Sequence, residues 1–206
     1  MPDRFKTVLL FGMPGVGKGT QGKILGHIPG FFHLACGEVF RSLDVNSDLG
    51  KQVMQYSSRG ELVPDELTIE MWRNNVHAQT VLSLFKPKAD LLILDGIPRN
   101  VPQAKAMESH LEVLKVIHLV CKDRDAMAHR MRRRALKENR LDDADEKVIR
   151  RRFEVYDRET RPVLEFYPPA IVSEIDSIGS PAEVLQHVLQ VLVPIQNTHF
   201  HNPLGG

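Results

Sequence analysis

Gly12-Met13-Pro14-Gly15-Val16-Gly17-Lys18-Gly19-Thr20 decides the reading of this chain. The short apolar run Thr7–Phe11 stands before it and a helical pattern over Gly17–His27 follows it. Glycines at this spacing let the backbone turn so that successive N–H groups point inward, where phosphate oxygens can accept from them. The N-terminus of the following helix adds a partial positive charge, and Lys18 adds a full one. Gly15, Val16, Gly17, Lys18, Gly19 and Thr20 are therefore candidate ligands of nucleotide phosphates. A glycine-rich turn carrying a solvated lysine is the bland alternative. The strand–loop–helix context argues against it.

Outward from this loop, apolar runs alternate with longer amphipathic stretches. Leu91–Leu94 ends at Asp95, Val116–Val120 and Ala170–Ile175 follow, and Phe32–Ala35 is a weaker run. Fully apolar runs of this length fit parallel strands covered on both faces. Helical patterns cover Asp65–Gln79, Val101–His110, Asp125–Leu136 and Asp145–Glu165. Ser180-Pro181-Ala182-Glu183 is a capping box with proline at the first helical position, followed by Val184, Leu185, Val188, Leu189 and Leu192 on one face. The pattern predicts an α/β fold: a doubly wound, five-stranded parallel sheet with helices on both faces. Ligands of such sheets bind beyond the carboxyl ends of the strands.

One detail narrows the class of loop. The generic P-loop ends in lysine followed by serine or threonine, whose hydroxyl binds Mg²⁺. Here Gly19 follows Lys18, and Thr20 comes one later. The metal must then be held by phosphates, water and a distant carboxylate. Asp95, closing a buried strand, has that placement and would act through water. A helix-capping role is its bland alternative.

The loop in this form, with the motifs that follow it in order, resembles the nucleoside-monophosphate kinase family from Thr7 to about Ile178. Cys36-Gly37-Glu38-Val39-Phe40-Arg41 looks like the family's Thr-Gly-Asp-x-x-Arg segment. Gly60-Glu61-Leu62-Val63-Pro64-Asp65 looks like the turn over the acceptor base, and Asp95-Gly96-Ile97-Pro98-Arg99 like Asp-Gly-x-Pro-Arg. Arg130 and Arg134, Arg140-Leu141-Asp142-Asp143, and Arg152 look like the lid arginines.

The resemblance implies a P-loop kinase moving the γ-phosphoryl group of ATP onto AMP. Arg41 and Arg99 would hold the acceptor phosphate. Arg134, Arg140 and Arg152 would embrace the transferring group, and Arg130 would pack on the donor base. Catalysis would rest on Lys18, Arg99, Arg134, Arg140 and Arg152. The acceptor site would comprise Cys36, Gly37, Arg41, Leu62, Val63, Gly96, Arg99, Gln103, Arg140 and Arg152. Arginine suits these places because its planar fork binds phosphate bidentately and stays charged.

Gln103, four residues after Arg99, is the position at which adenylate kinases carry a glutamine that reads adenine, whereas the UMP/CMP kinases carry asparagine. It argues for AMP, with UMP/CMP as the alternative. Cys36 in place of threonine and Glu38 in place of aspartate depart from the pattern, and Asn100 is shared with the pyrimidine enzymes.

A kinase must keep water from the γ-phosphate, so mobile parts are expected. They are a mostly helical monophosphate-binding insert over 37–79 and a short lid over 134–144. A core of 1–36, 80–133 and 153–196 would carry them, with a frayed tail over 197–206. Only five residues separate Arg134 from Arg140, too few for the long lid that can hold a zinc knuckle, so no structural zinc is expected. Asp142 and Asp143 read equally as caps of the next helix or as holders of the lid. Arg132, Arg133, Arg150, Arg151 and Arg158 read as solvated charge.

With 206 residues, 42% apolar and net charge +1, the chain suits one globular domain and no uniformly basic nucleic-acid binder. Two cysteines make no disulfide framework, and no run is long enough to span a bilayer. A cytoplasmic monomer that binds ATP, AMP and ADP, and neither nucleic acid nor membrane, is expected. A GTP-binding switch would need a guanine-reading Asn-Lys-x-Asp motif, which the sequence lacks. A dead nucleotide-binding module would need a missing charge, yet every lysine and arginine position is filled. Trp72 reads as packing inside the insert, Cys121 as a small buried group, and the nine histidines show no ligand spacing.

Overall fold

A computed structural model describes residues 4–138 and 143–199. Five strands form one parallel sheet: β1 Phe5–Phe11, β2 Phe31–Ala35, β3 Leu91–Asp95, β4 Leu111–Val120 and β5 Val172–Asp176. Their spatial order is β2-β3-β1-β4-β5, so β1 lies between β3 and β4. The register sets Leu9 opposite Leu94 and Val116. The chain leaves β1 at the centre of the sheet, where the strand order reverses and a crevice opens at the carboxyl ends.

Period-two alternation along β1 feeds two cores. Val8 and Leu10 join Met127, Met131, Ile149, Phe153, Val188 and Leu192 on one face. Leu9 and Phe11 join Trp72, Val76, Ala104, Met107 and Val163 on the other. The first face is covered by α1 (Lys18–Leu25), α6 (Arg124–Glu138), α7 (Glu146–Val155) and α9 (Pro181–His199). The second is covered by α4 (Asp65–Val81), α5 (Val101–Met107) and α8 (Val163–Phe166). Removing a buried side chain such as Leu9 to alanine should cost about 2–5 kcal/mol, transfer plus cavity.

Between β2 and β3 lie α2 (Cys36–Arg41), α3 (Asp48–Ser57) and α4. Val53, Val63 and Met71 make a separate small cluster there. Trp72, expected inside the insert, instead packs on the sheet's core, 6.5 Å edge-on from Phe5. The reason is helical period: Met71 and Trp72 are adjacent, so they face different clusters of one long helix.

The capping box forms as read, with Ser180 N–H donating to Glu183 Oε2 at 2.6 Å and Glu183 N–H to Ser180 Oγ at 3.2 Å. The helix it starts runs to His199, so Asn197–His199 are helical and not frayed. Asp145–Glu165, read as one helix, is α7, then a π-helical stretch over Tyr156–Thr160, then α8. Pro162, which has no N–H to continue the ladder, stands at the second break.

Candidate active site

The loop after β1 turns through positive φ at Gly12, Gly15 and Gly17. Two of these show different demands. A Cβ on Gly15 would lie 2.7 Å from the Met127 carbonyl oxygen of α6, so close approach excludes a side chain. At Gly17 a Cβ would meet nothing within 4 Å, and the φ of 112° alone favours glycine. Lys18 begins α1, and its Nζ donates to the carbonyls of Gly12 at 2.6 Å and Met13 at 3.3 Å.

Burial lowers the Lys18 ammonium to a pKa of about 8. Asp95 opposes that shift, while Arg99, Arg134 and Arg152 add to it by repulsion. Three guanidinium groups from three separate segments thus lie within Coulombic reach of one ammonium. Arg99 is held over the β3–α5 turn, where its Nε donates to the Gly96 carbonyl at 2.8 Å. Arg41 comes from α2, with its Nη1 3.2 Å from where a Gly37 Cβ would stand.

These groups border one cleft of about 1410 Å³. Gly15, Val16, Gly17, Lys18, Gly19 and Thr20 line it, with Gly37, Arg41, Leu62, Val63, Asp95, Gly96 and Arg99, and with Arg130, Arg134 and Arg152. Arg140 and Asp142 lie outside the described residues.

Two expected site residues do not line the cleft. Cys36 is 1% exposed, and burial pushes its thiol up to about 11, so the thiol is neutral near pH 7. Gln103 is also 1% exposed, and its amide is engaged within the protein. Its Oε1 accepts from the Arg99 backbone N–H at 2.7 Å, and its Nε2 donates to Asp65 Oδ1 at 2.7 Å.

Asp143 shows what the motif could not. It does not cap α7; Asp145 does, accepting from the Lys147 N–H. Asp143 is fully buried between two arginines, taking Arg134 Nε at 2.9 Å and Arg152 Nη1 at 2.5 Å. Of the arginines read as solvated, Arg132 and Arg150 pair with Glu146, Arg151 with Glu154, and Arg158 with Glu159. Arg133 differs: it stands on the cleft wall with Arg130 and Lys137. Tyr156, which no motif marks, also lines the cleft, and its hydroxyl meets His118 Nε2 at 3.1 Å.

A Cβ on Gly19 would lie 3.8 Å from Asp95 Oδ2, so the carboxylate faces the start of α1. Among the described residues no three histidines, cysteines or carboxylates gather to hold a metal by themselves. One carboxylate beside a phosphate loop fits a cation carried chiefly by the nucleotide's own oxygens.

The family model described as adenylate kinase matches residues 10–171. The chain belongs to the adenylate kinase family. It is 34% identical over 191 residues to an adenylate kinase of Kocuria rhizophila, covering 90% of this chain and 97% of that one. It is 34% identical over 197 residues to the adenylate kinase of Thermus thermophilus, covering 92% and 98%. Against an adenylate kinase of Cyanothece the identity is 39% over 166 residues, covering 78% and 80%. The glycine loop, the Asp95–Arg99 segment and the arginines of α6 and α7 all fall within the stretch matched by the adenylate kinase model.

Proposed function

We propose that this adenylate kinase family member catalyses reversible transfer of the γ-phosphoryl group of ATP to AMP, giving two ADP. One observation carries the reading: Lys18 at the mouth of the glycine loop has Arg99, Arg134 and Arg152 within electrostatic reach. Asp143 and Asp95 offset only part of this positive charge, and the excess repels itself unless an anion enters. It suits a reaction that brings several phosphate charges into one cleft.

The roles follow from position. The loop amides and Lys18 hold the β- and γ-phosphates of ATP, and Arg130 lies against the donor base. Arg41 and Arg99 hold the AMP phosphate from the opposite side. Arg134 and Arg152, joined by Arg140, take up charge on the γ-phosphoryl group as it passes in line between two oxygens. The attacking oxygen belongs to a phosphate already ionised near pH 7, so the residues need only orient it. Leu62 and Val63 offer an apolar wall to adenine. Asp95 would hold Mg²⁺ through water, and that ion, when bound, would offset phosphate charge.

The insert over 37–79 and the lid over 134–144 close on the core to exclude water. The enzyme acts as a cytoplasmic monomer on free nucleotides, without a structural zinc. Two adenosines joined by five phosphates would span both sites at once. Isothermal titration should show one molecule bound at micromolar or tighter affinity, in competition with both ATP and AMP. Competition with ATP alone would remove the acceptor site from this reading.

A further inference from the structure

Tyr156 lines the cleft, and its hydroxyl reaches β4, where it meets His118 Nε2 at 3.1 Å. Burial pushes the phenol up to about 12, so the hydroxyl keeps its proton and can donate. The His118 side chain is 14% exposed, and Oε2 of Glu174, its neighbour on β5, lies 3.5 Å from Nδ1. Burial lowers the His118 pKa below its ordinary value, with Glu174 opposing, so the ring is neutral near pH 7. The carboxylate favours the one ring proton on Nδ1, which leaves Nε2 bare to accept the Tyr156 O–H.

The backbone on either side tells what this bond fixes. His118 stands opposite Phe11 in the sheet, and Phe11 is the residue that enters the glycine loop. Tyr156 directly follows α7, and its own N–H bonds back to the Arg152 carbonyl. Arg152 and Tyr156 are four apart, so their side chains lie on one face of the helix, one turn from each other, and both line the cleft. Beyond Tyr156 the regular ladder gives way to a π-helical stretch, in which the Arg161 N–H bonds to the Tyr156 carbonyl at 2.8 Å. The α-helical ladder on that side therefore does not hold the end of α7, and a side-chain bond to the sheet does. We infer that His118 and Tyr156 are positioning residues for Arg152: their hydrogen bond ties the end of α7 to the rung of the sheet from which the glycine loop starts, and so sets the place of the guanidinium relative to Lys18. Asp143 holds the tip of the same arginine, with Nη1 at 2.5 Å. When the arginine exchanges Asp143 for the phosphoryl group, that hold is given up and the anchor at Tyr156 remains.

The inference rests on the role proposed for Arg152 in transfer from ATP to AMP. The experiment follows that transfer in a single turnover by rapid quench, and measures the KM for both nucleotides, in the full chain. Tyr156→Phe, which removes one oxygen, should slow transfer about tenfold, the cost of a slightly misplaced catalytic group, while each KM moves less than about threefold. His118→Leu should do the same. His118→Gln, whose carboxamide can still accept the hydroxyl, should stay within about threefold of wild type. The deciding arm is a double-mutant cycle with Arg152→Ala. In that background Tyr156→Phe should change the rate less than about twofold, since the group it positions is gone. If His118→Leu does not fold, Tyr156→Phe and the cycle carry the same prediction. A Tyr156→Phe rate within twofold of wild type would overturn the inference. So would a tenfold loss that persists beside Arg152→Ala, and either result would leave the proposed reaction intact. An Arg152→Ala variant as fast as wild type would remove the role proposed for Arg152, and the inference with it.

Discussion

Lys18 and the pair Arg134–Arg152 are cations bordering the same cleft, yet the fold holds them in opposite ways. Lys18 leans on two carbonyl oxygens of its own loop, which are dipoles and carry no net charge. Arg134 and Arg152 share a carboxylate, Asp143, whose side chain is 0% exposed while theirs are 29% and 16% exposed. The lysine has no carboxylate bonded to it, and burial, with Asp95 only partly opposing, lowers its proton affinity. The arginines have theirs offset beforehand. The loop therefore supplies a fixed attraction for phosphate. In the proposed reaction the arginines would exchange a carboxylate for a phosphoryl group, which suits segments that move as a site closes.

The largest effect is expected at Lys18. Replacing it with methionine should lower kcat by at least about three decades, roughly 4 kcal/mol, in a coupled ATP–AMP assay. Thermal unfolding of the same variant should show no loss of stability, because a desolvated cation has been exchanged for an apolar chain of similar length. Turnover within tenfold of wild type would defeat the role given to the lysine.

At Asp143 the balance should run the other way. Asp143→Ala leaves two guanidinium groups facing each other without their shared partner. Because both still reach solvent, the loss should be about 1–3 kcal/mol, read from chemical denaturation. An unchanged unfolding midpoint would show that the arginines do not depend on that carboxylate.

The third test uses pH, because lysine can lose its proton in the working range and arginine cannot. With a pKa lowered to about 8, the Lys18 cation is present below that pH and is lost as pH rises through it. Hence kcat/KM for ATP should fall above pH 8, by about tenfold per unit. Bound phosphates favour the ammonium, so the matching limb in kcat should lie at higher pH. A kcat/KM flat to pH 10 would mean that the lysine is not the titrating cation.

The smallest effect is expected at Cys36, whose neutral thiol is a weak donor. Because the buried side chain does not line the cleft, Cys36→Thr should leave the KM for AMP within about twofold of wild type, less than the worth of one neutral hydrogen bond. A KM lowered about threefold or more would show that this position reaches the acceptor through its side chain.

What could be read in advance was what is encoded locally. The strand–loop–helix over Phe5–Leu25 follows from an apolar run, three glycines and a lysine within reach of one another, and β1 lies at the centre of the sheet as that pattern requires. All five strands lie where apolar runs stand, with boundaries shifted by neighbours. The Pro168-Pro169 pair and the short 3₁₀ turn after it delay β5 to Val172. Gln103 shows where local reading ends. Its partner Asp65 is 38 positions away, so no spacing rule reveals that its amide is already engaged. Asp143 is nine residues from each of its two arginines, and only the approach of α6 to α7 makes it their common partner. Tyr156 lines the cleft from the first residue of a π-helical stretch, a pitch that no periodicity announced.

Direct transfer between ATP and AMP at the cations gathered around Lys18 can be watched by offering the purified protein ATP with AMP, CMP, UMP or GMP and following the phosphorus NMR spectrum. Growth of ADP resonances with AMP, at least about tenfold faster than product from any other acceptor, is the predicted result. Comparable or faster product with CMP or UMP, or release of inorganic phosphate in place of ADP formation, would contradict it.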